Sequence, residues 1–198
     1  GIPQPVPVTS LLSYDDEVAY ATSTGRTLNN TSWAQVSSGT SVVFGIQSDG
    51  SLWAWGRDIN GEMGTNSRRF TSTLIYYLPT KIGNDSWSLV TTGASHTAAI
   101  KSNGTLWTWG LGTSGQLGLN NIITRSSPVQ VGASSWSFVN AGGLTTYGTL
   151  IDGTLFAFGS IDGQTTLRSS PVQVSAGGST TAKSASVGVS FIATVDAN

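Results

Sequence analysis

The chain has 198 residues, a formal net charge of −1, only 10% charged residues and no cysteine. Disulfide frameworks and thiol chemistry are therefore excluded, and with no basic cluster beyond Arg68-Arg69 a nucleic-acid partner is not expected. No apolar run approaches the ~20 residues that cross a bilayer, and no signal peptide is visible.

Residues 1–32 match nothing later in the chain, apart from a stray strand signal at Pro5-Val6-Pro7-Val8. Their acidic run, Asp15-Asp16-Glu17, reads as a solvated turn rather than a cation site. The segment is expected to be a connector or an atypical cap. From Trp33 onward the chain repeats itself. SDGSLWAWG (48–56), SNGTLWTWG (102–110) and IDGTLFAFG (151–159) are one motif three times. Gly39, Gly93 and Gly142 precede the turn glycines at one constant spacing, and Trp33, Trp87 and Trp136 precede those in turn. A fourth copy opens at Gly188. The units are 33–86, 87–135 and 136–181, with a partial unit 182–198, in one domain, 33–198.

Each unit reads as four short strands. In the second, TKIG (80–83) opens the unit, followed by WSLVTTG (87–93), HTAAIK (96–101) and TLWTWG (105–110). Asn103-Gly104 between the last two is a hairpin signal, because both residues tolerate positive φ. Trp107 and Trp109 face one side of their strand and Leu106 and Thr108 the other, so both faces are covered, as in a propeller blade. No window carries apolar residues at helical spacing. The spacing between units varies mainly over 57–79, 111–127 and 160–170, which are expected to be surface loops.

Little points to catalysis. His96 is the single histidine, and Val42, Thr145 and Phe191 occupy its place in the other units, so it reads as a packing residue. One histidine and no cysteine leave little from which to build a nucleophile and base. Asp49, Asp152 and Asp196 share a turn position with Asn103 and read as turn formers. Asp58 and Glu62 faintly suggest a calcium loop that lacks its remaining ligands, so no metal and no cofactor are expected. The candidate contact residues lie on the variable segments: Arg57, Arg68, Arg69, Phe70, Tyr76 and Tyr77, together with Arg125 and Arg168, which recur in Arg-Ser-Ser-Pro ahead of a strand. Arg and Tyr are enriched at binding hot spots. The plainer alternative for LIYYL (74–78) is an extra edge strand packed on its blade.

The second unit carries Trp87, Val90, Gly93, His96, Asn103 to Gly110, Gly115-Gln-Leu-Gly118 and Ser127-Pro-Val-Gln-Val131. This order resembles the regulator-of-chromosome-condensation repeat over about residues 33–198. The first unit departs with Glu62-Met63, and the third with Phe156, Phe158 and Gln164-Thr165-Thr166. The resemblance implies an all-β fold of propeller blades, about three and a half four-stranded units, forming an incomplete ring or a fragment of a longer propeller. Because the chain starts at Gly1 and breaks off inside its fourth unit, a fragment is expected; pairing of two copies and an open arc are the alternatives. Light-sensing members of the family carry Trp and Arg between the Gly and His; Ala94 and Ser95 stand there here, so photoreception does not carry over. The expected function is a non-catalytic structural or binding module of bacterial or bacteriophage origin, on an extracellular or virion surface. A tail fibre, tail-associated or capsid-decorating protein would use the loops to meet neighbouring subunits or a surface receptor, with a homo-oligomer as one arrangement. The alternative is a soluble protein-binding or inhibitor propeller of an exported bacterial protein.

Overall fold

The computed structural model describes residues 32–66, 74–161, 167–174, 184–187 and 192–195. The chain divides into two units, Gly1–Thr31 and Ser32–Asn198, and every described residue belongs to the second. The expected connector up to Thr31, the candidates Arg68, Arg69 and Phe70, and Asp196 lie outside the described residues.

Strands β1 (Trp33–Ser38), β2 (Val42–Gln47), β3 (Leu52–Asp58) and β4 (Leu74–Lys81) form the first blade, in that order. Strands β5 (Trp87–Thr92), β6 (His96–Lys101), β7 (Thr105–Gly110), β8 (Arg125–Gly142), β9 (Thr145–Leu150), β10 (Leu155–Ser160) and β11 (Leu167–Gln173) make one seven-stranded antiparallel sheet. A last pair, β12 (Ser184–Val187) and β13 (Ile192–Val195), opens a fourth blade, with β12 packed beside β8 and β9. No α-helix occurs among the described residues.

The seven-stranded sheet is two blades sharing a strand. The first half of β8 pairs with β7, Trp107 opposite Gln130, and its second half pairs with β9, Trp136 opposite Leu150. The expected strand boundaries therefore shift. TKIG closes the first blade rather than opening the second, since Lys81 lies opposite Trp53 and Thr80 opposite Ala54. Arg125 and Arg168 are strand residues, opposite Gly110 and Gly159, and do not precede the strand. Outer-strand pairing also takes residues 74–79 out of the expected loop 57–79. The reason is the same in each case: the outer strand begins ahead of its Pro, and an irregularity in the ladder absorbs the prolyl residue that cannot donate a hydrogen bond.

The hairpin turns are built differently from the double positive-φ turn the Asn-Gly pair suggests. Only the glycine is left-handed: Gly50 (φ 82), Gly104 (φ 82) and Gly153 (φ 86). The preceding Asp or Asn instead accepts the N–H two residues on, Ser51 to Asp49 (2.8 Å), Thr105 to Asn103 (3.2 Å) and Thr154 to Asp152 (2.9 Å). Hydrogen bonds from Ser51 and Thr154 hold the Asp49 and Asp152 carboxyls below their ordinary range.

The core lies between blades. One cluster joins Phe44, Leu52 and Met63 of the first blade to Trp87, Val90 and Trp109 of the second. The other joins Ile100, Leu106 and Val131 to Trp136, Val139 and Phe158. Trp87 meets Trp107 and Trp109 edge-on, the favoured aromatic geometry. Trp33 departs from its counterparts: it is 42% exposed against 3% for Trp87. No described blade precedes it, and its ring leans on Trp55 instead.

Candidate functional site

Most of the polar machinery singled out in the sequence is spent locking blade to blade. Gly61-Glu62-Met63-Gly64 folds into a tight turn, closed by Gly64 N–H donating to the Gly61 carbonyl (3.0 Å), and Gly115-Gln116-Leu117-Gly118 repeats it at the same distance. Each turn plugs into the following blade. The Glu62 carbonyl accepts from Thr97 Oγ1 (2.9 Å) and from Trp109 Nε1 (2.8 Å). The Gln116 carbonyl accepts from Thr146 Oγ1 (2.8 Å). In the third unit Phe158 stands at the Trp109 position and supplies no donor. A Cβ on Gly64 would lie 2.8 Å from Trp109 Nε1, and one on Gly118 2.8 Å from the Phe158 ring. Close approach therefore demands glycine at both positions. Asn66 N–H and Asn120 N–H then donate to the Ser126 and Ser169 carbonyls, each at 2.7 Å.

His96 belongs to this lock. It is 1% exposed, and its Nε2 lies 2.8 Å from Thr146 Oγ1. That hydroxyl gives its single proton to the Gln116 carbonyl, so His96 must donate through Nε2–H. Its buried Nδ1 has no partner among the described residues, and burial lowers the imidazole pKa to about 4. The ring is neutral at physiological pH and enclosed, which suits packing and not proton transfer to a substrate.

Asp58 and Glu62 are likewise buried. Glu62 Oε2 accepts the backbone N–H groups of Ile59 and Asn60, and burial raises its pKa. Met63 N–H approaches Asp58 Oδ1 at 3.4 Å. Gln116 plays the Glu62 part in the second unit, accepting Ser114 N–H at 2.8 Å. Among the described residues no group of three or more His, Cys, Asp or Glu converges.

The described contact candidates do not form one cluster. Arg57 is exposed and lies opposite Ile75, beside the Gly56–Tyr76 pair. Tyr76 is half-buried against the first interblade core, its hydroxyl 3.4 Å from Thr65 Oγ1. Tyr77 points the other way, 83% exposed, and is followed by Leu78 at 75%. Arg168 is exposed, whereas Arg125 is half-buried and lines a cleft of about 680 Å³ between the second and third blades. Sequence reasoning missed Leu78 and Ile75. The signal was present: aligning Pro79 with Pro128 and Pro171 sets Tyr77-Leu78 against Ser126-Ser127 and Ser169-Ser170.

Two models described as the regulator of chromosome condensation (RCC1) repeat match the chain, one over residues 49–100 and 103–144, the other over 87–116. The human E3 ubiquitin-protein ligase HERC2 is 39% identical over 82 residues, covering 40% of this chain and 2% of that protein. Human WBSCR16 superposes with a TM-score of 0.75 at 21% identity, over 84% of this chain and 45% of that one. Yeast RCC1 (Prp20), solved bound to Kap60, gives a TM-score of 0.69 at 18% identity, over 86% and 43%. The chain thus spans less than half the length of each. Residues 49–100 and 103–144 thus carry RCC1 repeats, and the chain shares with these structures the fold of antiparallel propeller blades.

Proposed function

We propose that these blades form a non-catalytic protein-binding module whose contact edge is β4. One observation carries the reading. At the outer-strand irregularity the second and third units hold Ser-Ser-Pro, while the first exposes Tyr77 and Leu78 beside the exposed Ile75. An apolar run with a Tyr on an outermost strand is costly in water, and it is a common form of interaction surface. Arg57, across the ladder from Ile75, adds a charged rim. The Glu62, Gln116 and His96 groups that could have served chemistry are occupied with holding blades together. One solved neighbour, yeast RCC1, is itself held by a protein, Kap60. The tail-fibre and virion-surface setting expected from the sequence stays outside this proposal, because no described residue supports it.

The test replaces Tyr77 and Leu78 by serine, the residues of the other units. A partner retained by the native chain and lost by the Tyr77→Ser/Leu78→Ser form is the expected result. Equal retention by both forms would place the contact elsewhere and overturn the reading.

A further inference from the structure

Two grooves between blades are built on one plan, and comparing them position by position shows that one has been rebuilt. The first lies between the first and second blades, the other between the second and third. Each is floored by a buried tryptophan, Trp87 or Trp136, whose indole N–H has no acceptor among the described residues, and each is edged by a proline, Pro128 or Pro171. The first groove is lined by three charged residues, Lys81, Lys101 and Asp85, and two of them pair. Lys101 lies 2.9 Å from Asp85 and sits over the Trp107 ring, 3.5 Å from its centroid. At the matching positions the second groove has Leu150, Ser134 and Phe156, so cation, anion and their aromatic platform are replaced together. Thr65 and Thr80 of the first become Leu119 and Val129 in the second.

In the second groove Gln130 stands at the Lys81 position, and the charged residue among its described lining is Arg125. Arg125 lines it, half-buried, and among the described residues its side chain has no hydrogen-bond or ion-pair partner, its Nε being a buried polar atom left unmatched. Among its described lining residues there is no Asp or Glu. Leu119, Val131, Leu150 and Phe156 give this cleft an apolar wall beside its amides and hydroxyls, and among its described lining residues no carboxylate meets the Arg125 guanidinium. Buried donors without acceptors call for an explanation, and an arginine fork is matched best by a carboxylate.

We propose that the groove between the second and third blades binds an extended peptide segment of a protein partner. An aliphatic side chain of the peptide packs on Leu119, Leu150 and Phe156, and a neighbouring Asp or Glu pairs with Arg125. The cleft's volume of about 680 Å³ falls in the usual range for pockets that enclose a ligand. The inference extends the protein-binding reading to a second surface, distinct from the β4 edge.

Random peptides displayed on phage are panned on the full chain, and the selected peptides are then made in soluble form. The groove predicts enrichment of peptides pairing an aliphatic residue with a carboxylate. Their affinity should fall at least about tenfold on Arg125→Gln, and also on Leu150→Lys/Ser134→Asp, which installs the first groove's own chemistry. Changing the peptide Glu to Gln should weaken binding to the native chain but not to Arg125→Gln. Should Arg125→Gln fail to fold by circular dichroism, the double variant decides. Selection without carboxylate enrichment, undiminished binding to the variants, or no selection at all overturns the groove. Selected peptides that ignore these variants but are lost with Tyr77→Ser/Leu78→Ser would overturn the groove while leaving the β4 reading standing.

Discussion

If the Glu62 carbonyl is the bolt between the first two blades, removing its two donors together must cost more than the sum of removing each. The chain supplies its own conservative replacements: Val43 occupies the first-unit counterpart of Thr97, and Phe158 the third-unit counterpart of Trp109. Thr97→Val deletes one hydrogen bond of 2.9 Å and should cost about 0.5–1.5 kcal/mol. Trp109→Phe deletes the other, of 2.8 Å, and its smaller ring adds a packing loss, for about 2–3 kcal/mol in total. Either single change leaves the carbonyl one donor. The pair leaves it buried and bare, which adds about 1–2 kcal/mol of unrecovered desolvation. A double-mutant cycle isolates that coupling and cancels the packing loss. The assay is urea unfolding, read from the midpoint at constant slope. Additivity to within about 0.3 kcal/mol would refute the carbonyl as a shared acceptor.

Stability of the native chain should fall as pH drops from the ordinary histidine range near 6.5 toward 4. The folded His96 pKa of about 4 lies below its unfolded value, so the unfolded chain takes up the proton first. At about 1.4 kcal/mol per unit the loss is about 3 kcal/mol, and His96→Thr should abolish that slope in pH-dependent unfolding. Glu62 has the opposite sign. Its raised pKa means the folded chain holds the proton more tightly, so its contribution is present at acid pH and is lost as pH rises through the folded value. Glu62→Gln, the residue found at 116, should therefore be more stable than the native chain at pH 8, with the advantage gone near pH 4. Gly64→Ala forces a side chain into a left-handed position (φ 73) against the Trp109 indole, and should lower stability by about 2 kcal/mol or more. Tyr77→Ser/Leu78→Ser should shift the thermal midpoint little, within about 0.5 kcal/mol, because both side chains are exposed.

The repeats were legible because they are written in side chains. Gly50, Gly104 and Gly153 mark the hairpins, and the alternation around Trp109 places a strand with both faces buried. What escaped the sequence is written in the main chain. The plug is made by the carbonyls of Glu62 and Gln116 and the N–H groups of Asn66 and Asn120, whose partners no residue pattern names. TKIG was assigned to the wrong blade because an apolar strand signal carries no information about which neighbour it pairs with. Arg125 and Arg168 read as loop residues because Pro128 and Pro171 suggest a strand start, whereas the ladder skips over those prolines. Trp33 shares its motif position with Trp87 and Trp136, yet its exposure depends on what precedes it in space. The groove around Trp136 could be recognised only once its lining was set against that around Trp87, since the matching residues are scattered along the chain.

The claim that this chain works by holding another protein is tested most directly by photocrosslinking in its native cells. A photoreactive phenylalanine analogue is placed at Tyr77 and, as a control, at Ser102, which is exposed on the β6–β7 hairpin. The account predicts a discrete protein adduct from position 77 and none from 102. Adducts from both positions alike, or from neither, would contradict it.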